Sequence, residues 1–505
     1  MFLLIIFICI AIYAFIQWQA VRKLPNGPIP FLFFGNLPQL MFYSYKKGGL
    51  VGGMVEMAKI YGDVHTVWYG PYPTIQLCTF EMAKELMVNQ GTTQIGRYTP
   101  FFTRAASYDE KGNQRGVVSS EGDQWLEHRR FILHTLRDFG MGNALQEQLI
   151  YHEIDYHFGE IEKRMIDGKA TVVVDDFTEL LIASIINRLL YGYGFDESNQ
   201  SRYFEIRDEV AKFIKHLSPI DFFVTDWWRY VPILKNRYFH IYNVLDAFRA
   251  FSMENIQKIR SQLSDQDVTL SGEQAGDFVH AYLIEQRKRI KENGEPGYFD
   301  DAGLLGDLVD IWGAGQETTS TTLQWAFHEL LSRPEIVEKC RNEINEVTGD
   351  GRVLCLKDRP KTPYLNAVIN EIQRYGSILS VNLWRVTTGP CHIGGCEIPV
   401  GTLSTAQLSV IMQNDRVFDQ PQEFNPERYL GNDGKLQEQS TIPFGIGKRA
   451  CLGESLARAE LYLVLGNLLQ RYKLSFDPME GSQGMTNKYS PIYKPKTFKA
   501  VFEKI

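Results

Sequence analysis

The stretch Phe444-Gly445-Ile446-Gly447-Lys448-Arg449-Ala450-Cys451-Leu452-Gly453 decides how the rest of the chain is read. Its glycines permit a tight loop whose backbone amides turn inward. Cys451 stands just ahead of Gly453-Glu454-Ser455-Leu456-Ala457-Arg458-Ala459-Glu460-Leu461, a stretch with the apolar spacing of a helix. A thiolate at a helix N-terminus is stabilised by the dipole and by N–H groups that lack intrahelical partners. That arrangement suits a metal-bound sulfur. Other readings of the same residues are weaker. Gly445-x-Gly447-x-x-Ala450 resembles a dinucleotide loop only superficially, because no strand–loop–helix unit of the right kind precedes it. Gly447-Lys448 lacks the Ser or Thr of a phosphate loop. A lone cysteine is most often a buried, inert one, but that reading leaves the glycines and Arg449 unexplained.

The surroundings narrow the class. The chain has 505 residues, 44% of them hydrophobic, and no tract of repeats, charge blocks or Pro/Ser linkers divides it beyond the first forty. One large, mainly α domain with a small β region fits best. A net charge of −7 argues against nucleic acid as a partner. Seven cysteines without regular spacing do not read as a disulfide framework. Cys391, His392 and Cys396 provide only three ligands, one short of a structural zinc site. Strands are expected between Val64 and Phe80 and after Lys473. The run Gly48 to Gly53 reads as a flexible turn.

The first residues depart from this pattern. Met1 to Val21 carry no charge, Phe2 to Ile16 are almost wholly apolar, and Arg22-Lys23 follow. About 20 such residues span a bilayer as a helix. The basic flank keeps the rest of the chain on the cytosolic side. A cleaved signal peptide would need a basic start, which is absent. The expected order is a transmembrane anchor over 1–21, a proline-rich hinge over 22–38 and a catalytic domain over 39–505.

The loop around Cys451 matches the haem-thiolate signature F-x-x-G-x-R-x-C-x-G at all five fixed positions. At ~5% per position, chance would produce this on the order of once in 10⁶ starts. With this signature the chain resembles the cytochrome P450 family along essentially its whole length. It looks most similar to the membrane-bound animal enzymes that handle drugs, fatty acids and related lipids. The resemblance implies the cytochrome P450 fold and haem b held by Cys451 as axial ligand, with Phe444 shielding the sulfur and Arg449 meeting a propionate. Thiolate ligation favours O–O cleavage. Trp125-Leu126-Glu127-His128-Arg129-Arg130-Phe131 resembles the family's haem-facing helix, where Trp125 and Arg129 share a face and hold a propionate. Arg385 resembles a third propionate partner, although Trp384 replaces the usual proline before it. Gly313-Ala314-Gly315-Gln316-Glu317-Thr318-Thr319 resembles the oxygen-activation segment of a long helix running from about Asp301 to Ser332. Two glycines in mid-helix cost about 1 kcal/mol each. The expectation is a distorted helix in which Gly315 leaves room for dioxygen while Glu317 and Thr318 relay protons. Trp312 and Gln316 depart from the family pattern and are expected to narrow or reshape the pocket. Glu371-Ile372-Gln373-Arg374 resembles the family's E-x-x-R, with Arg428 as its third member.

The implied activity is that of a monooxygenase of lipid or xenobiotic metabolism, inserting one oxygen atom into a small apolar substrate such as a fatty acid, sterol or xenobiotic. No flavin or nicotinamide fingerprint is convincing, so electrons are expected from NADPH–cytochrome P450 reductase, with cytochrome b5 as a further candidate. Arg130, Arg137 and Lys448 are candidates for a basic face toward that partner. Asp226-Trp227-Trp228-Arg229-Tyr230-Val231 is a candidate contact with membrane lipid. The expected location is the endoplasmic reticulum membrane, with the catalytic domain on its cytosolic face. A reductase-independent haem-thiolate isomerase or dehydratase, and a non-catalytic haem-binding sensor, remain the alternatives.

Overall fold

The computed structural model of the chain describes residues 2–99, 109, 113–138, 144–216, 224, 226–243, 245–263, 276–349, 351–431, 434–479 and 492–505. In chain order the longer helices are α1 (Phe2–Lys23), α2 (Leu37–Lys46), α3 (Leu50–Tyr61), α4 (Gly122–Asp138), α5 (Ala144–Lys163), α6 (Val174–Tyr191) and α7 (Gln200–His216). They continue with α8 (Pro232–Tyr242), α9 (Asp246–Gln262), α10 (Phe278–Asn293), α11 (Asp301–Leu331), α12 (Pro334–Thr348), α13 (Pro363–Gly376) and α14 (Glu454–Arg471). The strands are β1 (Val64–Tyr69), β2 (Tyr72–Leu77), β3 (Gly96–Arg97), β4 (Lys169–Val173), β5 (Arg385–Val386), β6 (Cys391–Ile393), β7 (Cys396–Ile398), β8 (Leu403–Ala406), β9 (Tyr472–Phe476) and β10 (Lys499–Lys504). The mainly α reading with a small β region holds, and strands form at both expected places. The chain divides into two compact units.

The first unit draws on Met1–Tyr98, Asn366–Cys451 and Gly484–Lys496. Its helix α1 covers the expected anchor and ends on Arg22 and Lys23. Among the described residues no helix is long and apolar enough to cross a membrane. The proline segment then runs without helix and is pinned by Asn36. That side chain donates to the Pro28 carbonyl at 3.0 Å and accepts from the Trp68 amide at 2.7 Å. The glycine run that reads as a turn is one only at Gly48 and Gly49; Gly52 and Gly53 lie inside α3. A Cβ on Gly53 would approach the Ser44 amide to 2.7 Å, so this glycine lets α2 and α3 pack closely.

The main sheet of this unit has the order β1-β2-β8-β5-β3, with β1–β2 antiparallel and β2–β8 parallel. Ile75, Leu77, Leu86, Met87, Ile393 and Ile411 are buried together against it, each stabilising by about 1.5–3 kcal/mol. Glu371 and Arg374 pair bidentately at 2.7 and 2.8 Å, and Arg428 joins at 3.2 Å, with both partners of the first pair fully buried. The expected trio is therefore assembled. Cys391 and Cys396 sit in the β6–β7 hairpin, and among the described residues no group of three or more acidic, His or Cys side chains could hold a metal ion. All seven cysteines are free thiols.

The second unit draws on Thr99–Leu365, Leu452–Gln483 and Thr497–Ile505. Its spine is α11, which packs along α6, while α14 packs on α12. The sheet β4-β10-β9 closes one side. There Phe158, Phe177, Tyr472 and Phe502 meet edge-to-face, with Phe158–Tyr472 centroids 5.4 Å apart. The helix α11 stops before Pro334, as proline at the start of α12 requires. The segment Asp226–Tyr230 forms a 3-10 turn that exposes Trp227 and Tyr230 and buries Trp228.

Candidate active site

In the first unit, the Cys451 loop is closed by its own backbone. The Cys451 amide donates to the Phe444 carbonyl at 2.9 Å, and Ala450 donates to Gly447 at 2.9 Å. Gly445 and Gly447 both have positive φ, of 67° and 78°. A side chain on Gly447 would also run into the Met87 carbonyl at 1.9 Å. These positions tolerate only glycine. The Cys451 side chain is exposed and Phe444 is half-buried.

Two buried guanidiniums belong to the same unit. Arg385, on β5, donates to the Ile446 carbonyl inside the loop. Arg449 donates to the Ile95 carbonyl at 2.9 Å. Trp384 does not displace Arg385. The indole turns instead onto Tyr69 and Tyr98, at centroid distances of 5.3 and 5.9 Å, and β5 keeps its antiparallel register with β3 and β8.

In the second unit, Trp125 is buried on α4 and the Arg129 guanidinium lies 5.9 Å from its ring centroid. Arg130 and Arg137 are exposed on the same helix. On α11, a long buried run is interrupted by Gly313 and Ala314, which are exposed, and by Gly315, Glu317 and Thr318, which are half-buried. The Thr318 hydroxyl donates to the Ala314 carbonyl at 2.7 Å.

The contacts along α11 are as follows. The helix is assigned continuously from Asp301 to Leu331, and Thr318, Ser320 and Thr322 turn their hydroxyls back onto carbonyls of the preceding turn. Trp312 and Gln316, the two departures from the family pattern, are both buried. Trp312 is buried against Phe248 of α9, 4.6 Å between centroids, and Gln316 donates to the Tyr203 hydroxyl of α7 at 3.0 Å.

The Cytochrome P450 family model matches residues 25–502, nearly the whole chain. The chain belongs to the cytochrome P450 family. It is similar to "Probable cytochrome P450 cyp-35D1" of Caenorhabditis elegans, 32% identical over 459 residues, covering 90% of each chain. It is also similar to "Cytochrome P450 2B19" of Mus musculus, 33% identical over 456 residues, or 89% of this chain and 87% of the relative. "Cytochrome P450 2B2" of Rattus norvegicus is 32% identical over 487 residues, or 95% and 93%. This cytochrome P450 is therefore a haem-thiolate monooxygenase. Its residues fit the cofactor: an exposed thiol sits in a glycine loop of fixed shape, and two buried guanidiniums beside it suit the carboxylates of haem.

Two groups in the second unit carry no sequence signature. His128 and Asp307 form a buried pair, Nδ1 to Oδ2 at 2.6 Å, and the other ring nitrogen of His128 meets the Tyr298 carbonyl at 2.9 Å. Burial alone would lower the His128 pKa. The Asp307 carboxylate and the two hydrogen bonds outweigh it and hold the pKa above the usual histidine value. Asp310 accepts from the Val118 amide at 2.7 Å. Their signal, faint in sequence, is a set of acidic residues on one face of a mostly apolar helix.

Proposed function

We propose that this enzyme inserts one atom of dioxygen into an apolar organic substrate, a fatty acid, sterol or xenobiotic, using electrons from NADPH by way of cytochrome P450 reductase, with cytochrome b5 as an auxiliary donor. The haem supplies the redox chemistry of dioxygen activation when bound. Cys451 would provide the sulfur ligand and Phe444 would cover it. Trp125, Arg129, Arg385 and Arg449 hold the haem carboxylates. Gly315 would leave room for dioxygen, and Glu317 and Thr318 would hold and pass protons beside it. The observation that carries this reading is the exposed Cys451 thiol in a loop that only glycines can close, beside buried Arg385 and Arg449. Replacing Cys451→Ala is expected to abolish the carbon-monoxide difference band characteristic of ferrous thiolate haem. A mutant that keeps this band would remove Cys451 as the ligand.

The enzyme is placed on the cytosolic face of the endoplasmic reticulum membrane, with residues 1–21 as anchor, 22–38 as hinge and 39–505 as catalytic domain. Support comes from the exposed apolar side chains Leu4, Phe7, Ile12, Phe15 and Ile16 of α1, followed by Arg22 and Lys23. Full release of the protein from microsomes by alkaline carbonate would refute the anchor. Arg130 and Arg137, both exposed, would meet an acidic flavoprotein. Reversing both charges to Glu is expected to slow NADPH-supported turnover, most at low salt, where screening is least. Salt-independent loss would point to the fold instead.

A further inference from the structure

Three carboxylates at the cap and in the N-terminal half of α11 each hold one part of a single neighbouring segment. Asp300, the helix cap, pairs with Arg115 at 2.9 Å while also accepting from the Gly303 amide at 2.7 Å. Asp307 pairs with His128. Asp310 accepts from the Val118 amide. Two glycines lie among them. A Cβ on Gly303 would stand 3.0 Å from the His128 ring and 2.7 Å from the Tyr282 hydroxyl, and one on Gly306 would stand 2.6 Å from the Gly116 amide. At 100° per residue these five positions fall within an arc of about 120°. Arg115, Gly116, Val118 and His128 therefore lie against this face.

The same arc continues down the helix to Ala314, Glu317 and Thr318. On the other partner, His128 precedes Arg129 and is three residues from Trp125, on the same side of α4. We infer that the His128–Asp307 pair, flanked by the Asp300 and Asp310 contacts, is a positioning device. It locks the rotation of α4 against α11, so that the haem-holding pair Trp125 and Arg129 is set relative to the helix that carries Glu317 and Thr318. His128 and Asp307 touch neither substrate nor cofactor in this scheme and act through Trp125 and Arg129. The inference rests on the assignment of those two residues to the haem.

The charge logic yields a readout that simple packing would not. The charged groups acting on His128 are Asp307 and Asp300 at the start of α11, Tyr282 of α10 meets its ring edge-on, and Asp300 is itself paired with Arg115. His128 has a raised pKa in the folded protein. The contribution of the pair is thus complete below the ordinary histidine pKa and is lost as pH rises through the folded value.

The test measures the rate at which haem leaves the purified full-length holoenzyme for excess apomyoglobin, from about pH 6 to about pH 9, a range that brackets histidine titration. Wild-type loss should quicken as pH rises. Asp307→Asn should lose haem about tenfold faster at the acid end, in the range found for residues that orient ligand-holding groups, and its rate should be nearly flat with pH. His128→Gln should behave the same way, which keeps the test alive if one variant folds poorly. The double variant should be no worse than either single one. Arg129→Leu should speed haem loss in every case. If Arg129→Leu speeds it and both pair variants lower only the melting temperature, the positioning role is wrong. If Arg129→Leu leaves haem loss unchanged, the haem-holding assignment fails and the inference falls with it.

Discussion

The two halves of α11 both carry a pair of glycines, and only one of the four, Gly313, faces open space. In the first half, Gly303 and Gly306 are sites of contact: a Cβ at either would strike the backbone or side chain of a neighbouring segment at 2.6–3.0 Å. In the second half, Gly313 has nothing within 4 Å, and Gly315 faces only the tip of Ile186, at 2.9 Å. The first half spends its polar groups on other elements, through Asp300, Asp307 and Asp310. The second half turns its hydroxyls back on its own carbonyls, through Thr318, Ser320 and Thr322. A glycine in a helix costs about 1 kcal/mol relative to alanine in either place. In the first half that cost is offset by close packing. At Gly313 it leaves open surface, which is of use only if something other than protein fills it.

Gly306→Ala separates the halves most sharply. The new methyl group would meet the Gly116 amide and the Arg115 Cβ at 2.6 and 2.8 Å, and Gly116 is held by a positive φ of 76°. Relief requires moving backbone, so overpacking should cost about 1–3 kcal/mol, more than the helix propensity regained. Thermal or denaturant unfolding should show the loss. A melting temperature equal to or above wild type would mean that segment 115–118 is not seated against this face.

Thr318→Ala probes the second half through chemistry instead. Its hydroxyl bonds only within α11 among the described contacts, so the fold, haem content and substrate-induced Soret shift should be retained. Product formed per NADPH consumed should fall severalfold, as expected when a positioned proton donor is removed. Unchanged coupling would take Thr318 out of the proton path.

These halves were unequally legible in the amino-acid sequence. The second half, the Cys451 loop and the Glu371-x-x-Arg374 pair can be read because rare residue types stand at fixed short spacings. The buried ion-pair cluster around Glu371 matches its reading, and Gly313 and Ala314 are exposed. The first half depends on a partner far away in the chain. His128 and Asp307 are 179 residues apart, and each alone looks like an ordinary polar residue on an amphipathic helix. Only the packing of α4 on α11, which Gly303 permits, brings them together. The same confusion between glycine as breaker and glycine as contact made Gly52 and Gly53 read as a turn, although α3 contains both. The partners of Trp312 and Gln316 were illegible for a related reason. Their side chains are taken up by Phe248 and Tyr203, from helices whose positions no local pattern encodes.

The smallest expected effect is the one that most directly tests the contrast. At Gly313 an added Cβ meets nothing within 4 Å, and the residue sits in an unbroken helix. Gly313→Ala should therefore gain stability, by up to about 1 kcal/mol from helix propensity alone. If the open face at this level is where haem and dioxygen lie, the methyl group enters that space and not a protein contact. The stabilised variant should then show a shifted Soret maximum or a weaker substrate-induced spectral change, with haem content preserved. The combination separates the two halves of α11: a gain in melting temperature with altered haem spectra at Gly313, against a loss in melting temperature at Gly306. A Gly313→Ala protein that is destabilised would show that this glycine, too, is a packing contact. One that is stabilised with unchanged spectra would place the open face away from the haem.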